Sequence, residues 1–196
     1  MVAEQTIPGV ILCFSATILL LLVCSTSPTT SITYFLDVLL PTGTHIHYGL
    51  YGSTGSKSRI GYRFDVPGFN LAESRLSSDA IFDLTKALVL HPIGAALAFI
   101  AFCFGLWGLC RHRMGTILMA CLSSVAAFII IIAWIIQITL FTIARTELRN
   151  QGFQAEYGYA IWITLVALVT LLIGFCAAVV GIFGRYKRKA YSEVRH

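Results

Sequence analysis

The sequence predicts an all-α membrane protein, a four-helix bundle with a small extracellular antiparallel β-sheet in its first loop. Three observations carry this. Only 12% of the 196 residues are charged and 57% are hydrophobic, whereas a soluble domain carries about 25% charged residues. Four apolar runs, at residues 7–26, 88–110, 115–144 and 157–184, each reach the roughly 20 residues needed to cross a hydrocarbon core of about 30 Å. Between the first two runs, residues 27–87 hold segments in which apolar and polar residues alternate, the period of a half-buried strand.

Taken in order, residues 7–26 are read as a span and not as a signal peptide. Residues 1–6 lack Lys and Arg, and the run is longer than a signal-peptide core. Pro8 suits a first helical turn, and Ser25-Thr26-Ser27-Pro28 stops the helix. Ile32-Thr33-Tyr34-Phe35-Leu36-Asp37-Val38 is rich in β-branched and aromatic residues and reads as a strand. Pro41-Thr42-Gly43 turns the chain. Ile46, Tyr48 and Leu50 then alternate with polar positions, as do Ile60, Tyr62, Phe64 and Val66. With Gly52–Lys57 as the turn between them, these two stretches are expected to pair as a hairpin, one face packed down and one in water. Asn70-Leu71-Ala72-Glu73 has a capping-box pattern. Ile81, Leu84 and Leu88 recur at helical spacing, which predicts an amphipathic helix leading into the second span.

The second span carries small pairs four residues apart, Gly94 with Ala98 and Ala101 with Gly105, and the fourth carries Gly174 with Ala178 and Ala177 with Gly181. These are expected to close the bundle within one chain. The third run would rise ~45 Å as a helix, so it is expected to project past the membrane and support the sheet. Trp134, Tyr157, Tyr159 and Trp162 suit the outer interface. Basic residues Arg111 and Arg113 in the short connector and Arg185, Lys187, Arg188 and Lys189 in the tail at 185–196 place both on the cytosolic side. Both termini are then cytosolic and both larger loops external. All six cysteines, Cys13, Cys24, Cys103, Cys110, Cys121 and Cys176, fall in or beside the spans, so no loop disulfide is expected.

This layout of a large first loop, a tiny basic inner turn and a small second loop is similar to the claudin-like four-helix architecture. Gly49-Leu50-Tyr51 resembles the claudin Gly-Leu-Trp signature, with Tyr in place of Trp. More closely, Tyr48-Gly49-Leu50-Tyr51-Gly52, then Gly61-Tyr62, then Leu88-Val89-Leu90-His91-Pro92 resemble the fungal family of PalI-type pH-response regulators and eisosomal tetraspans. The resemblance covers all four spans and the first loop. It implies that Gly49, Leu50, Tyr51, Gly52, Gly61, Tyr62, His91 and Pro92 hold the loop fold. Members of that family usually carry two cysteines in the first loop, where this chain has Ser53, Ser56 and Ser58.

No Ser/His/Asp set, metal-spaced Cys/His cluster or phosphate loop is present, so neither catalysis nor a cofactor is expected, and nothing points to nucleic acid. No Asp, Glu, Lys or Arg lies well inside a span, which argues against a pore or transporter. Gln137, the one amide of the third span, is expected to bond a neighbouring helix or to lie at the outer interface. His45 and His47 stand two apart on a strand and so share a face. They are weak candidates for an external pH or metal response, since histidine titrates near neutrality but two ligands make a poor metal site. His91 at the interface could bond a carbonyl freed by Pro92. Cys110 beside Arg111 is a candidate for palmitoylation or simply a small packing residue. The cluster Arg185, Lys187, Arg188 and Lys189 should attract anionic inner-leaflet lipid, at about 1 kcal/mol per basic residue.

The expected function is that of a non-enzymatic plasma-membrane tetraspan, a membrane organiser or accessory subunit. It would bind another integral membrane protein, or itself, through the polar face of the loop, with His45, His47, Arg59 and Arg63 available for contact. The resemblance implies two particular roles, assisting an ambient-pH sensing complex or organising cortical membrane domains. An alternative is an auxiliary subunit of a channel, pump or cell-wall polysaccharide synthase, and a pore or transporter of its own ranks below these.

Overall fold

The computed structural model describes residues 7–26, 33–40, 43–54, 56, 59–64, 78–110 and 113–193, with side chains described at all of these except 110, 113 and 181–193. Along the chain run α1 (Ile7–Cys24), β1 (Leu36–Leu39), β2 (His45–Tyr48), α2 (Asp79–Ala87), α3 (Leu90–Cys110), α4 (Arg113–Asn150), β3 (Gln154–Tyr157) and α5 (Tyr159–Glu193). Four helical stretches are long and apolar enough to cross a membrane: Ile7–Cys24, Asp79–Leu109, Met114–Asn150 and Tyr159–Val180. The protein is a multi-pass membrane protein of the claudin-like four-helix architecture.

The helices pack in a ring in which α1 neighbours α3 and α5, and α4 neighbours the same two. Small residues make the contacts. Ala16, Ala98, Ala101, Ala126, Ala133 and Ala167 are buried. Gly108 and Gly115 lie so close that a Cβ on Gly115 would stand 2.6 Å from the Gly108 nitrogen. Gly94 faces Ile130 of α4, Gly105 faces Met119 and Val10, and Gly174 faces Leu12 and Cys13 of α1. Packing of this kind supplies dispersion energy in lipid, where the hydrophobic effect cannot drive helices together. Large side chains such as Phe14, Phe99, Phe128 and Ile173 turn outward, towards where lipid tails would lie.

A second core sits above the bundle, where Phe35, Leu36, Tyr48, Leu50 and Phe64 of the first loop meet Phe141, Ala144 and Leu148 of α4. The Phe35 and Phe141 rings stack at 5.0 Å. This contact explains the length of α4. Its 38 residues rise about 57 Å, well beyond a hydrocarbon core of about 30 Å. The helix continues past residue 144 through Arg145, Glu147 and Arg149. Likewise α5 continues through Glu193, so the basic stretch from Arg185 is helical for most of its length.

The sheet departs from the hairpin expected between residues 45–51 and 59–66. It has three strands in the order β2-β1-β3. β1 pairs antiparallel with β2, Leu36 opposite Tyr48 and Leu39 opposite His45, and with β3, Leu36 opposite Tyr157 and Leu39 opposite Gln154. The hairpin is the shorter-range one. Leu40 N–H donates to Thr44 O at 3.0 Å and Gly43 N–H donates to Leu40 O at 2.9 Å, with Gly43 at φ 79°. Closing this short turn costs less chain entropy than the longer connection, and Gly43 adopts its left-handed backbone without strain.

Residues 59–64 have the alternation of a strand but not its partners. Tyr62 N–H donates to Thr85 Oγ1, and Thr85 Oγ1 donates to Tyr62 O, so a threonine on α2 replaces the ladder. Ile60 is accordingly 65% exposed, while Phe64 stays in the core. The third strand comes from the second loop. Gln154-Ala155-Glu156-Tyr157 is too short and polar to signal a strand alone, and β1 templates it. The capping-box residues 70–73, with residues 65–66 of the expected strand, lie outside the described residues. Within them, α2 starts at Ser78, whose side chain accepts from Ile81 N–H.

Gly158 joins β3 to α5 under the first loop. Its N–H donates to Phe35 O at 2.9 Å, and Ala160 N–H donates to Tyr34 O at 3.2 Å. A Cβ on Gly158 would overlap the Tyr34 carbonyl. Gly158→Ala should therefore destabilise the protein by about 3 kcal/mol or more. Gly43→Ala, with nothing within 4 Å of its new Cβ, should lose only the roughly 1–2 kcal/mol of a left-handed residue. Thermal unfolding in detergent checks the contrast.

Candidate interaction site at the sheet end of the bundle

The Gly49–Gly52 segment fastens the sheet to α1. Leu50 N–H donates to Thr26 O at 3.1 Å, just past the end of α1, and Leu50 is buried. Gly49 N–H donates to Gly52 O at 2.7 Å, making a tight turn, and Gly52 takes φ 145°. A Cβ on Gly49 would stand 2.7 Å from Thr26 O. The sequence Gly-Leu-Tyr-Gly is thus read locally: a close backbone approach, a buried anchor, a partly buried aromatic and a left-handed corner. Tyr62 closes the segment from the other side, its hydroxyl donating to Gly49 O at 2.8 Å. Burial pushes the Tyr62 phenol above its usual range, with Tyr48 adding to the shift. Gly61, at φ 79°, brings the chain against Lys86 and Phe82 of α2.

His91 and Pro92 lie at the start of α3. Pro92 has no N–H to give Leu88 O, four residues back. His91 fills that place: its backbone N–H donates to Leu88 O at 3.0 Å and its Nδ1 lies 3.1 Å from the same oxygen. On the far side of the ring, Nε2 lies 2.7 Å from the amide of Gln137 on α4. Both residues are fully buried. Each ring nitrogen therefore faces an oxygen, Leu88 O on one side and Gln137 Oε1 on the other, and the tautomer decides which of them accepts the ring N–H. Gln137 thus ties α4 to α3. Trp134, one turn earlier, keeps its indole N–H enclosed and without a hydrogen-bond partner among the described residues.

On the outer face of the sheet, His45 and His47 converge on Asp37. His45 Nδ1 lies 3.0 and 3.2 Å from the two carboxylate oxygens. His47 Nδ1 lies 3.2 Å from Asp37 Oδ1 without forming a hydrogen bond to it. Tyr34 stacks on His47 at 4.4 Å. Glu156 stands opposite Asp37 on β3, so a cross-strand row runs His47, Asp37, Glu156. Like charges side by side are unfavourable. Among the described residues no group of three or more His, Cys, Asp and Glu is arranged to hold a metal ion.

Both sheet edges are closed. Thr54 covers β2, donating to His47 O from its N–H at 2.9 Å and accepting from His47 N–H at its hydroxyl. Arg145 and Arg149 of α4 cover β3, each donating from Nε to Ala155 O at 3.2 and 3.1 Å. Strand addition is therefore blocked at these positions.

Arg59 and Arg63 lie apart from the histidines, beside α2. Arg63 pairs with the exposed Asp79 at 3.0 Å, and Lys86 with Asp83 at 3.1 Å. Arg59 has no ion-pair partner among the described residues. The four expected contact residues thus form two groups, His45 with His47 and Arg59 with Arg63. Cys110 ends α3, and Arg185, Lys187, Arg188 and Lys189 lie on the last turns of α5, with side chains outside those described. Sequence reasoning missed Asp37, Glu156, Tyr34, Thr26 and Thr85 as partners. None carries a local motif, and all but Asp37 act across more than a dozen residues of chain.

Two outcomes follow from these contacts. In a double-mutant cycle of His91→Leu and Gln137→Leu, unfolding in detergent should give a coupling of about 0.6–1.7 kcal/mol, the range for interhelical polar contacts in membranes. Tyr62→Phe should cost about 1 kcal/mol. The folded state holds the neutral phenol, whereas the unfolded phenol ionises near pH about 10. Stability from this contact is complete below that pH and falls above it, so Tyr62→Phe should flatten the alkaline limb of the stability profile.

No curated protein matches the chain. The family model described as the SUR7/PalI family matches residues 5–175, which take in the first three spans, most of the fourth, the sheet and the Leu-Val-Leu-His-Pro run at the head of α3. With well over half of its length matched by that model, the chain belongs to the SUR7/PalI family.

Proposed function

We propose that the chain is a non-enzymatic organiser or accessory subunit of the plasma membrane, with both termini in the cytosol and the sheet outside. It binds another integral membrane protein, or itself, through side chains at the sheet end. One observation carries the reading. The apolar runs 7–26, 88–110, 115–144 and 157–184 hold no Asp, Glu, Lys or Arg, and their one buried His and one buried Gln are spent on each other. The polar side chains open to contact gather instead on the sheet and beside α2. An ion or proton path would require intramembrane ionisable groups. The orientation is supported by the basic residues Arg111 and Arg113 between the second and third spans and Arg185–Lys189 after the fourth, which would also attract anionic lipid.

Affinity purification in mild detergent from native membranes tests this. One dominant membrane partner at equal stoichiometry is the result expected of an accessory subunit, whether the partner is a sensor, a channel, a pump or a polysaccharide synthase. Self-association, or a broad set of cortical proteins, is the result expected of a domain organiser. Recovery of the chain as a monomer alone overturns both.

The approach of His45 and His47 to Asp37 favours the pH-assisting role among these. Protonated imidazoles would bind that carboxylate more tightly and cancel the charge of the row it shares with Glu156. Replacing both histidines with Gln should flatten the pH dependence of partner recovery. An unchanged profile ends the pH reading and leaves the organiser reading standing.

A further inference from the structure

Beside α2 lies a half-open recess of about 480 Å³, lined by Ser53, Ser56, Arg59, Gly61, Tyr62, Arg63 and Phe82. Two of these residues are cationic and none is acidic. The walls are fixed. Arg59 N–H donates to Tyr51 O at 2.9 Å, and Ser56 Oγ donates to Ser53 O at 2.8 Å while accepting from Ser53 N–H at 3.0 Å. The positive φ of Gly61 lets the chain pass over Phe82 with no side chain in the way.

The two arginines differ in availability. Arg59 is exposed and, among the described residues, has no side-chain partner. Arg63 shares a surface pair with Asp79, whose side chain is 91% exposed. Such a pair is weak and yields readily to a second carboxylate. An arginine fork offers parallel N–H donors that match a carboxylate, and the chemistry of the recess is therefore that of an anion receptor. The Phe82 ring is already engaged, with Lys86 Nζ 4.2 Å and Arg63 Cζ 5.7 Å from its centroid. It offers no free aromatic platform for a sugar ring, which favours a peptide carboxylate over an acidic saccharide.

We infer that this recess takes up an Asp or Glu side chain from an acidic peptide segment of the partner. The inference rests on the partner-binding reading and names the chemistry the partner must present. It is tested on the purified full chain in nanodiscs of neutral lipid, by fluorescence anisotropy with labelled hexaglutamate. The expected result is saturable binding that weakens with salt, is absent with hexaglutamine, and falls about tenfold or more in the Arg59→Gln, Arg63→Gln variant, the scale of a lost charge-assisted hydrogen bond.

Arg59→Gln alone, at an exposed side chain outside the core, should lower affinity about threefold or more and keeps the test sharp if the double variant folds poorly. Unchanged hexaglutamate binding in the variants overturns the inference. So does saturable binding of oligogalacturonate with none of hexaglutamate, which would make the recess a saccharide site. A native partner that still copurifies with the Arg59→Gln, Arg63→Gln chain would likewise remove the recess while leaving the partner-binding reading in place.

Discussion

The structure depends on one backbone requirement, that β1 be hydrogen-bonded on both sides. A two-stranded hairpin is marginal by itself. The hairpin β1-β2 gains its third strand from the connection between α4 and α5. That pairing brings Phe35 onto Phe141 and forces the chain at Gly158 against the Tyr34 carbonyl. The two loops are therefore one unit, joined to every helix of the ring through α1, α2, α4 and α5. The absence of loop cysteines is compatible with this, because covalent closure is replaced by a ladder and a shared aromatic core.

Below the sheet, the junction of loop and membrane is handled by a few polar groups. Thr26 at the end of α1 accepts from Leu50, Thr85 of α2 replaces a strand for Tyr62, and His91 satisfies the carbonyl that Pro92 leaves open. Unpaired backbone groups are costly where water is scarce. Each of these side chains sits where a regular hydrogen-bond pattern breaks. Their burial leaves His45, His47, Arg59 and Arg63 as polar side chains outside these junctions. The closed sheet edges sharpen this division, since Thr54, Arg145 and Arg149 occupy the backbone positions that a partner strand would otherwise use.

Much of the architecture was legible in the chain. Apolar runs of span length and the spacing of Gly94, Gly105 and Gly174 are local signals, and bilayer thickness converts them directly into helices that pack closely. The alternation at Ile46 and Tyr48 likewise marked a real strand. The same alternation at Ile60, Tyr62 and Phe64 did not, because the nearby Thr85 hydroxyl and the tighter turn at Gly43 compete for the same backbone. β3 carried no readable signal, since a four-residue polar segment becomes a strand only when another strand templates it.

The sequence by itself determined the membrane class, the four spans and the place of the large loop, because hydropathy and length act residue by residue against a bilayer of set thickness. It also marked Gly49, Leu50 and Tyr62 as a unit without saying what they touch. Only the tertiary structure decided the strand order, the convergence of His45 and His47 on Asp37, the link from His91 to Gln137 and the recess at Arg59 and Arg63. The strand order and the link from His91 to Gln137 join residues far apart in the chain, and the convergence on Asp37 and the recess depend on how the turns between their residues close, which no local pattern encodes.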